Sequence, residues 1–95
     1  MDFNHFLTSY MPDPSIGSKT HFQNMIDQAI LAEKLGYKTV SIPEHHLVNL
    51  LMMPSPLQMA VKIAALTKKI NISTSVVVLP LHDMRTYAGE VITAD

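Results

Sequence analysis

The sequence contains no cysteine and few charged residues. Without cysteine there is no disulfide, no thiolate metal ligand and no cysteine nucleophile. Charged residues make up 16% of the 95 residues, and 7 lysines and arginines nearly balance 8 aspartates and glutamates, for a net charge of −1. A protein that binds nucleic acid needs a basic face, so we expect no nucleic-acid partner.

Long hydrophobic runs are also missing. The segment 1–7 lacks the basic and apolar regions of a signal peptide, and the longest apolar run is far shorter than the roughly 20 residues of a membrane helix. We therefore expect a cytoplasmic protein with no membrane partner. Neither G-x-G-x-x-G nor G-x-x-x-x-G-K-[ST] occurs, which argues against the usual dinucleotide fold and a P-loop nucleotidase.

Apolar residues are abundant, at 47%. This fraction is too high for a disordered chain. A domain of this length buries only about two-thirds of its unfolded surface. We therefore expect some apolar surface that needs a partner.

Extended and helical patterns alternate along the chain. Apolar or β-branched runs predict strands at 3–7, 39–42 and 70–79, and helical spacing predicts helices at 20–35, 56–69 and 84–95. This β-α-β-α-β-α order is typical of parallel strands joined by right-handed crossovers. Three strands cannot close a barrel, which takes eight.

Three local signals set the predicted helix ends. Thr20 with Gln23, and Ser55 with Gln58, match the capping box, and Pro56 occupies the first helical position of the second helix. Gly36 supplies the positive φ that ends the first helix.

The second predicted helix has two apolar faces. Leu57, Ala60, Val61 and Ala64 form one, and Met59, Ile63, Leu66 and Ile70 form the other. One face can cover the sheet. The other packs either against helices of the same chain or against a second subunit.

The densest polar cluster, Glu44-His45-His46, directly follows the second predicted strand. Ligands of parallel α/β proteins bind at the carboxyl ends of the strands. A histidine there can act as a general base near neutral pH, and a neighbouring carboxylate can orient it. The same residues are also compatible with a solvated loop.

His82-Asp83 follows the third predicted strand, at the same end of the sheet. With His45 and His46 these residues form a possible zinc or iron site. The metal site is the less favoured interpretation, because successive side chains in an extended chain point apart.

Small polar residues interrupt the third predicted strand. Thr74, Ser75 and Val76 either fill the limited space inside a curved sheet or let a flat ligand approach the backbone. Ser9 and Tyr10 follow the first strand and either line a pocket or form the loop.

Several motifs together resemble the bacterial luciferase-like flavin monooxygenases. The run AILAEKLGY at 29–37, followed by Glu44-His45-His46, resembles the A-x-x-A-E-x-L-G-Y … E-H-H pattern of that family. The stretches 55–67 and 74–83 are similar to its S-P-L … A-A-x-T and T-x-V-V-x-L-P-L-x-D patterns. The resemblance covers nearly the whole chain, in order.

The resemblance implies a (β/α)8 TIM barrel that uses reduced FMN and O2 to oxidise a small organic substrate. A sister branch uses a deazaflavin. Its first histidine, here His45, supports acid/base chemistry, with Glu44 and His46 in support. A non-proline cis peptide beneath the flavin corresponds to Ser75-Val76. Family members dimerise through their second and third helices, so we expect a homo-oligomer.

The sequence departs from the family pattern in two places. The common D-P-x-R-x-A-E-E appears as DMRTYAGE at 83–90, and the chain ends at Asp95. We therefore expect residues 1–95 to be the N-terminal portion of an incomplete barrel, inactive and without bound flavin by itself. The alternatives are a non-enzymatic, self-associating α/β module and, less favoured, a small metal-binding protein.

Overall fold

A parallel three-stranded sheet carries the structure, and each strand is followed by a helix. The computed structural model describes residues 1–95. In chain order the elements are β1 (Asn4–Phe6), α1 (Gly17–Lys34), β2 (Thr39–Ile42), α2 (Pro56–Ala64), β3 (Asn71–Thr74) and α3 (Met84–Ala94). Short 3-10 turns at Pro14–Ile16 and Leu79–Leu81 precede α1 and α3. The predicted α/β architecture with parallel strands is confirmed.

The central strand is β2, in the order β1-β2-β3. Val40 lies opposite His5 on one side and Ile72 on the other, so these three residues share one face of the sheet. That face is covered by α1 and α2. On the opposite face, the Asn4 side-chain amide donates a hydrogen bond of 2.8 Å to the Ser41 hydroxyl.

The hydrophobic core lies between the sheet and the first two helices. Its strand residues Val40 and Ile42 are fully buried. The other members of this buried cluster are Leu7, Met25, Ile26, Ala29, Ala32, Met53, Met59, Ile63 and Ile70. Three of the seven methionines therefore fill the core beneath the sheet, a use that suits their unbranched, flexible side chains.

The first helix begins earlier than the capping signal predicts. It starts at Gly17, so Thr20 lies inside the helix and the predicted capping box at Thr20 is wrong. The reason lies upstream: the Asp13 side chain accepts the Ser15 N–H at 2.9 Å and starts a 3-10 turn that continues into the helix. The predicted stop is confirmed, because Gly36 has φ of 85°.

The second helix and third strand are both shorter than predicted. The helix ends at Ala64 rather than near Lys69, and the strand covers Asn71–Thr74 rather than 70–79. Ser55 and Pro56 do mark the helix start, but the Ser55 hydroxyl makes no capping hydrogen bond, so the second predicted capping box is absent. None of the three helices is long and apolar enough to cross a membrane.

The two apolar faces of α2 are used differently. Met59 and Ile63 are buried in the core, whereas Leu66, predicted on the same face, is 53% exposed because the helix has ended before it. The opposite face, with Leu57 and Ala60, lines a cleft of about 470 Å³ against β3 and α3. Helix α3 of the same chain therefore lies opposite part of that second face, across the cleft.

Candidate functional site

Polar groups from the segments that follow β2 and β3 meet at the carboxyl edge of the sheet. Glu44 follows the last residue of β2 after one proline, and its side chain is fully buried. His82 lies just before α3, and 38 residues of sequence separate it from Glu44. Because the strands are parallel, the segments that leave β2 and β3 emerge side by side.

Three hydrogen bonds hold the Glu44 carboxylate. Its Oε1 accepts from Nε2 of His46 at 2.6 Å and from Nε2 of His82 at 2.8 Å. Its Oε2 accepts the backbone N–H of Val78 at 2.7 Å. A carboxylate oxygen can only accept, so Nε2 carries the proton in both imidazoles. We call Glu44, His46 and His82 the Glu44 triad.

The charged form of Glu44 is favoured despite its burial. Burial by itself raises the pKa of the carboxyl, but the hydrogen bonds from His46, the Val78 N–H and His82 outweigh it, so the pKa lies below the ordinary value of 4.5. The sheet edge therefore holds a buried negative charge within hydrogen-bond distance of two imidazoles.

Tyr87 of α3 closes one side of the triad. Its ring lies 4.6 Å from the His82 ring, between centroids, at an interplanar angle of 40°. Tyr87 is buried, and burial together with the charges of Glu44 and Glu90 raises the pKa of its hydroxyl. Its phenol is therefore a neutral group across the physiological pH range.

His45 is held by its backbone and leaves its imidazole free. Its N–H donates to the Met53 carbonyl at 2.8 Å, as part of an isolated antiparallel bridge. The side chain is partly exposed and makes no hydrogen bond within the chain. The structure thus separates His45 from its neighbour His46, which Glu44 holds.

The segment after β3 contains the cis peptide expected from the family resemblance, between Ser75 and Val76. The Ser75 N–H donates to the Ile42 carbonyl at 2.7 Å, and Val76 is 69% exposed. Thr74 lies opposite Ile42, on the helix-covered face, and lines the cleft with α2 and α3. Ser75 and Val76 are therefore available to a ligand at this edge, while Thr74 points away from them.

Ser9 and Tyr10 also lie at this end of the sheet but differ in access. Ser9 is buried, and its carbonyl accepts the Met52 N–H at 2.8 Å, whereas Tyr10 is 54% exposed. The buried His21 of α1 donates from Nε2 to the Met52 carbonyl at 3.2 Å. The loop after β1 is thus fastened to the end of the loop after β2.

The residues of the less favoured metal interpretation do not assemble into a metal site. The structure holds no group of three or more histidine, aspartate or glutamate side chains arranged to bind a metal ion. Asp83 instead begins α3: its carboxylate accepts the Arg85 N–H at 3.0 Å and the Arg85 guanidinium at 2.8 Å. The Arg85 side-chain and backbone hydrogen bonds, with that from the Thr86 N–H, lower the pKa of Asp83.

Sequence reasoning places His82 at the correct edge but misses its partner, and it misses Tyr87 and the Val78 N–H altogether. The position of His82 directly after a predicted strand is the available signal. Its pairing with Glu44 depends on where the chain runs after β3, which no local pattern encodes.

The comparisons with known proteins agree with this geometry. The family model described as luciferase-like monooxygenase matches residues 1–95. Uncharacterized protein y4vJ of Sinorhizobium fredii is 36% identical over 91 residues, covering 96% of this chain and 26% of its own length. The alkanal monooxygenase alpha chain of Photorhabdus laumondii is 30% identical over 86 residues, covering 90% of this chain and 24% of its own.

A solved structure shows the same fold. It is the oxygenating constituent of 3,6-diketocamphane monooxygenase from the CAM plasmid of Pseudomonas putida, a type II Baeyer–Villiger monooxygenase in complex with FMN. It superposes with a TM-score of 0.87 at 23% identity, over 95% of this chain and 25% of that one. The chain therefore spans about a quarter of the length of the relatives that it matches.

Proposed function

The chain belongs to the luciferase-like monooxygenase family, and from this we propose that the protein is a flavin-dependent monooxygenase. It uses reduced FMN and O2 to oxidise a small organic substrate, and residues 1–95 form the opening three βα units of its (β/α)8 barrel. The observation that carries the proposal is the meeting of a buried carboxylate, a free imidazole and an exposed backbone segment at the carboxyl edge of the sheet. That edge is where barrels of this kind place their chemistry.

The segment after β3 fits a flavin ring. Val76 offers an exposed apolar side chain, and the backbone N–H groups of Val76 and Val77 donate no hydrogen bond within the chain. A planar ring with acceptor atoms on its rim matches an apolar surface beside free donors. We propose that Ser75 and Val76 contact the ring and that Thr74 supports them from the opposite face. Bound reduced FMN would supply the two electrons for inserting one oxygen atom of O2 into the substrate while the other becomes water.

Within this proposal the residues after β2 have different roles. His45 exchanges a proton with the substrate or the flavin, because its imidazole is accessible and unengaged. Glu44 fixes the strand end from which His45 projects, and His46 donates to the Glu44 carboxylate. Tyr10 lines the substrate side, with Ser9 buried behind it.

The first substrate class to test is the carbonyl compounds. The support is the alkanal monooxygenase alpha chain, which is 30% identical to this chain. The intact protein, supplied with reduced FMN and 18O2, is expected to transfer one labelled oxygen atom to an alkanal or a cyclic ketone. His45→Gln should abolish labelling, and His5→Gln, in the middle of β1 on the helix-covered face, should leave it unchanged.

Two results would contradict this proposal. One is oxygen consumption by the intact protein that yields only hydrogen peroxide with every carbonyl compound tried. The other is a requirement for a deazaflavin, shown by oxidation with reduced deazaflavin and none with reduced FMN.

We further propose that residues 1–95 alone neither bind flavin tightly nor oxidise a substrate. Only three strands are present, and β1 and β3 each have one free edge. A fluorescence titration of this chain with FMN should show no saturable quenching at micromolar concentration. Stoichiometric binding would refute this part of the proposal.

A self-associating, non-enzymatic module is the second candidate. It is favoured by apolar side chains that remain exposed on the second and third helices, among them Val61 at 46% and Ile92 at 78%. In the monooxygenase these helices would form the homodimer contact. Size-exclusion chromatography with light scattering distinguishes the cases: a folded monomer at all concentrations argues against both forms of association.

A further inference from the structure

The His82 ring is fixed from three directions. Its backbone N–H donates to the Leu79 carbonyl at 3.0 Å and closes the 3-10 turn before α3. Its ring packs against the buried Tyr87 ring, and its Nε2 donates to Glu44. The position of this imidazole is therefore set by the turn and by α3, with Glu44 as the third contact.

The second imidazole of the triad is held less firmly. His46 has one side-chain hydrogen bond, to the same oxygen of Glu44, and its side chain is 32% exposed, against 24% for His82. The next residue, Leu47, has a positive φ of 56° and is fully exposed. The two donors to Oε1 are thus unequal: one belongs to a packed element and the other to an exposed loop.

The Glu44 carboxylate also contacts the segment after β3, so the contact with His82 at Oε1 affects the position of that segment. When Oε1 is fixed, rotation of the carboxylate plane is restricted, and Oε2 faces the Val78 N–H at 2.7 Å. Val78 lies two residues beyond Val76, in the stretch proposed to contact the flavin. Removing the fixed donor would let the plane turn and release this amide.

We propose that His82 is a positioning residue of this site: it holds the Glu44 carboxylate in the orientation that binds the Val78 N–H and so fixes the 75–78 segment. His46 donates to the same oxygen without setting that orientation. The consequence for flavin binding rests on the proposed function, whereas the consequence for Val78 does not.

The test compares two alanine variants and one conservative variant of the intact protein. His82→Ala and His46→Ala each remove one donor to the same oxygen, and His82→Gln keeps an N–H donor that does not titrate. His5→Gln is the matched control. The readouts are hydrogen exchange of the Val78 amide, followed by NMR after 15N-valine labelling, and the FMN dissociation constant.

Exchange at Val78 is expected to accelerate at least tenfold in His82→Ala and to stay within about threefold of the parent in His82→Gln, His46→Ala and His5→Gln. The FMN dissociation constant should rise in His82→Ala and stay close to the parent value in His82→Gln and His5→Gln. Equal acceleration in His82→Ala and His46→Ala would overturn the proposal, as would fast exchange in His82→Gln. If His82→Ala does not fold, His82→Phe takes its place, because it keeps a ring against Tyr87 and has no N–H donor: the proposal requires exchange at Val78 at least tenfold faster in His82→Phe than in His82→Gln.

The two proposals fail separately. If the intact protein shows this pattern of hydrogen exchange at Val78 but binds no FMN, the positioning role of His82 stands. The proposed function is then refuted. If the intact protein binds FMN and oxidises substrate but its Val78 exchange does not depend on His82, the proposed function stands. The positioning role of His82 is then refuted.

Discussion

Glu33 and Glu44 each accept three hydrogen bonds, at opposite ends of the sheet. Glu33, in the last turn of α1, accepts the backbone N–H groups of Lys68, Lys69 and Ile70 on one oxygen at 2.9, 2.7 and 3.0 Å. These amides lead into the amino end of β3. Glu44 at the carboxyl end accepts one backbone N–H and two imidazoles.

The difference lies in the donors. Glu33 joins α1 to the chain that enters β3. Because backbone amides do not titrate, Glu33 has no partner with which it could exchange a proton. Imidazole is the side chain that proteins use most often for proton transfer, so the Glu44 triad holds functional groups that the surroundings of Glu33 lack. In barrel proteins the amino end of the strands serves stability and the carboxyl end serves catalysis. Under the proposed function, the two glutamates correspond to these two ends.

The largest expected effect separates catalysis from stability at the carboxyl end. His45→Gln in the intact protein should lower the turnover number at least about 100-fold, the usual contribution of a general acid or base. Its free energy of unfolding should change by less than about 0.5 kcal/mol, because the imidazole makes no hydrogen bond in the folded chain. Steady-state kinetics and urea unfolding measure the two quantities. A variant with full activity would remove His45 from the site.

Glu44→Gln should damage both properties. The amide cannot accept two imidazole N–H groups with the strength of a carboxylate, so we expect a loss of about 2 kcal/mol in unfolding free energy. Turnover should fall as well, because the end of β2 that carries His45 loses its fixed contact to Val78. If the free energy of unfolding of Glu44→Gln equals that of the parent, Glu44 contributes less to stability than its three hydrogen bonds indicate. The comparison with Glu33 then fails.

Acid should weaken both ends of the sheet. The pKa of Glu33 is lowered chiefly by the Lys69 N–H, then by those of Ile70 and Lys68, and that of Glu44 is lowered as described above. A carboxyl whose folded pKa lies below its unfolded value stabilises the fold fully above the ordinary 4.5 and loses that contribution as the pH falls through the folded pKa. Unfolding free energy, measured from pH 5.5 down to 3, should therefore decline.

The glutamine variants identify the source of that decline. Glu33→Gln and Glu44→Gln should each flatten the pH dependence below pH 4.5, because each removes one titrating carboxyl. A parent-like slope in both variants would mean that other groups control acid unfolding.

The smallest effect is expected from substitutions of Glu33 at the amino end of the sheet. Glu33→Ala should lower the melting temperature by a few degrees and speed hydrogen exchange at residues 68–70. Glu33→Gln, which keeps an acceptor oxygen, should do so less. FMN affinity and turnover should stay within about twofold of the parent in both variants. A selective loss of turnover would show that the amino end also reaches the chemistry.

Local chemistry explains which elements were predicted well. The predicted bounds of the strand at Thr39–Ile42 agree with the observed ones, because a β-branched run favours a strand and Pro43, which has no N–H to donate, ends it. The end of the first helix was also predicted correctly, because Gly36 closes a two-bond C-cap in which Gly36 and Tyr37 donate to the carbonyls of Glu33 and Ala32.

The incorrect boundaries have long-range causes. The second helix was predicted to continue to Lys69, but the amides of residues 68–70 bond to Glu33 instead of to helix carbonyls. The third strand was predicted to continue to Leu79, but the Val78 N–H bonds to Glu44 instead of to a neighbouring strand. In both places a buried or partly buried carboxylate from a distant segment competed with the regular backbone pairing.

The sequence by itself determined the alternation of strands and helices, the carboxyl edge at which Glu44, His45 and His46 lie, and the family resemblance that the comparisons support. These depend on spacing and on residue types that neighbours in the chain can satisfy. Only the tertiary structure decided that Glu44 binds His82 and the Val78 N–H while the His45 ring stays free. A hydrogen bond between segments more than 30 residues apart requires both to be placed by packing, and no local pattern specifies that distance.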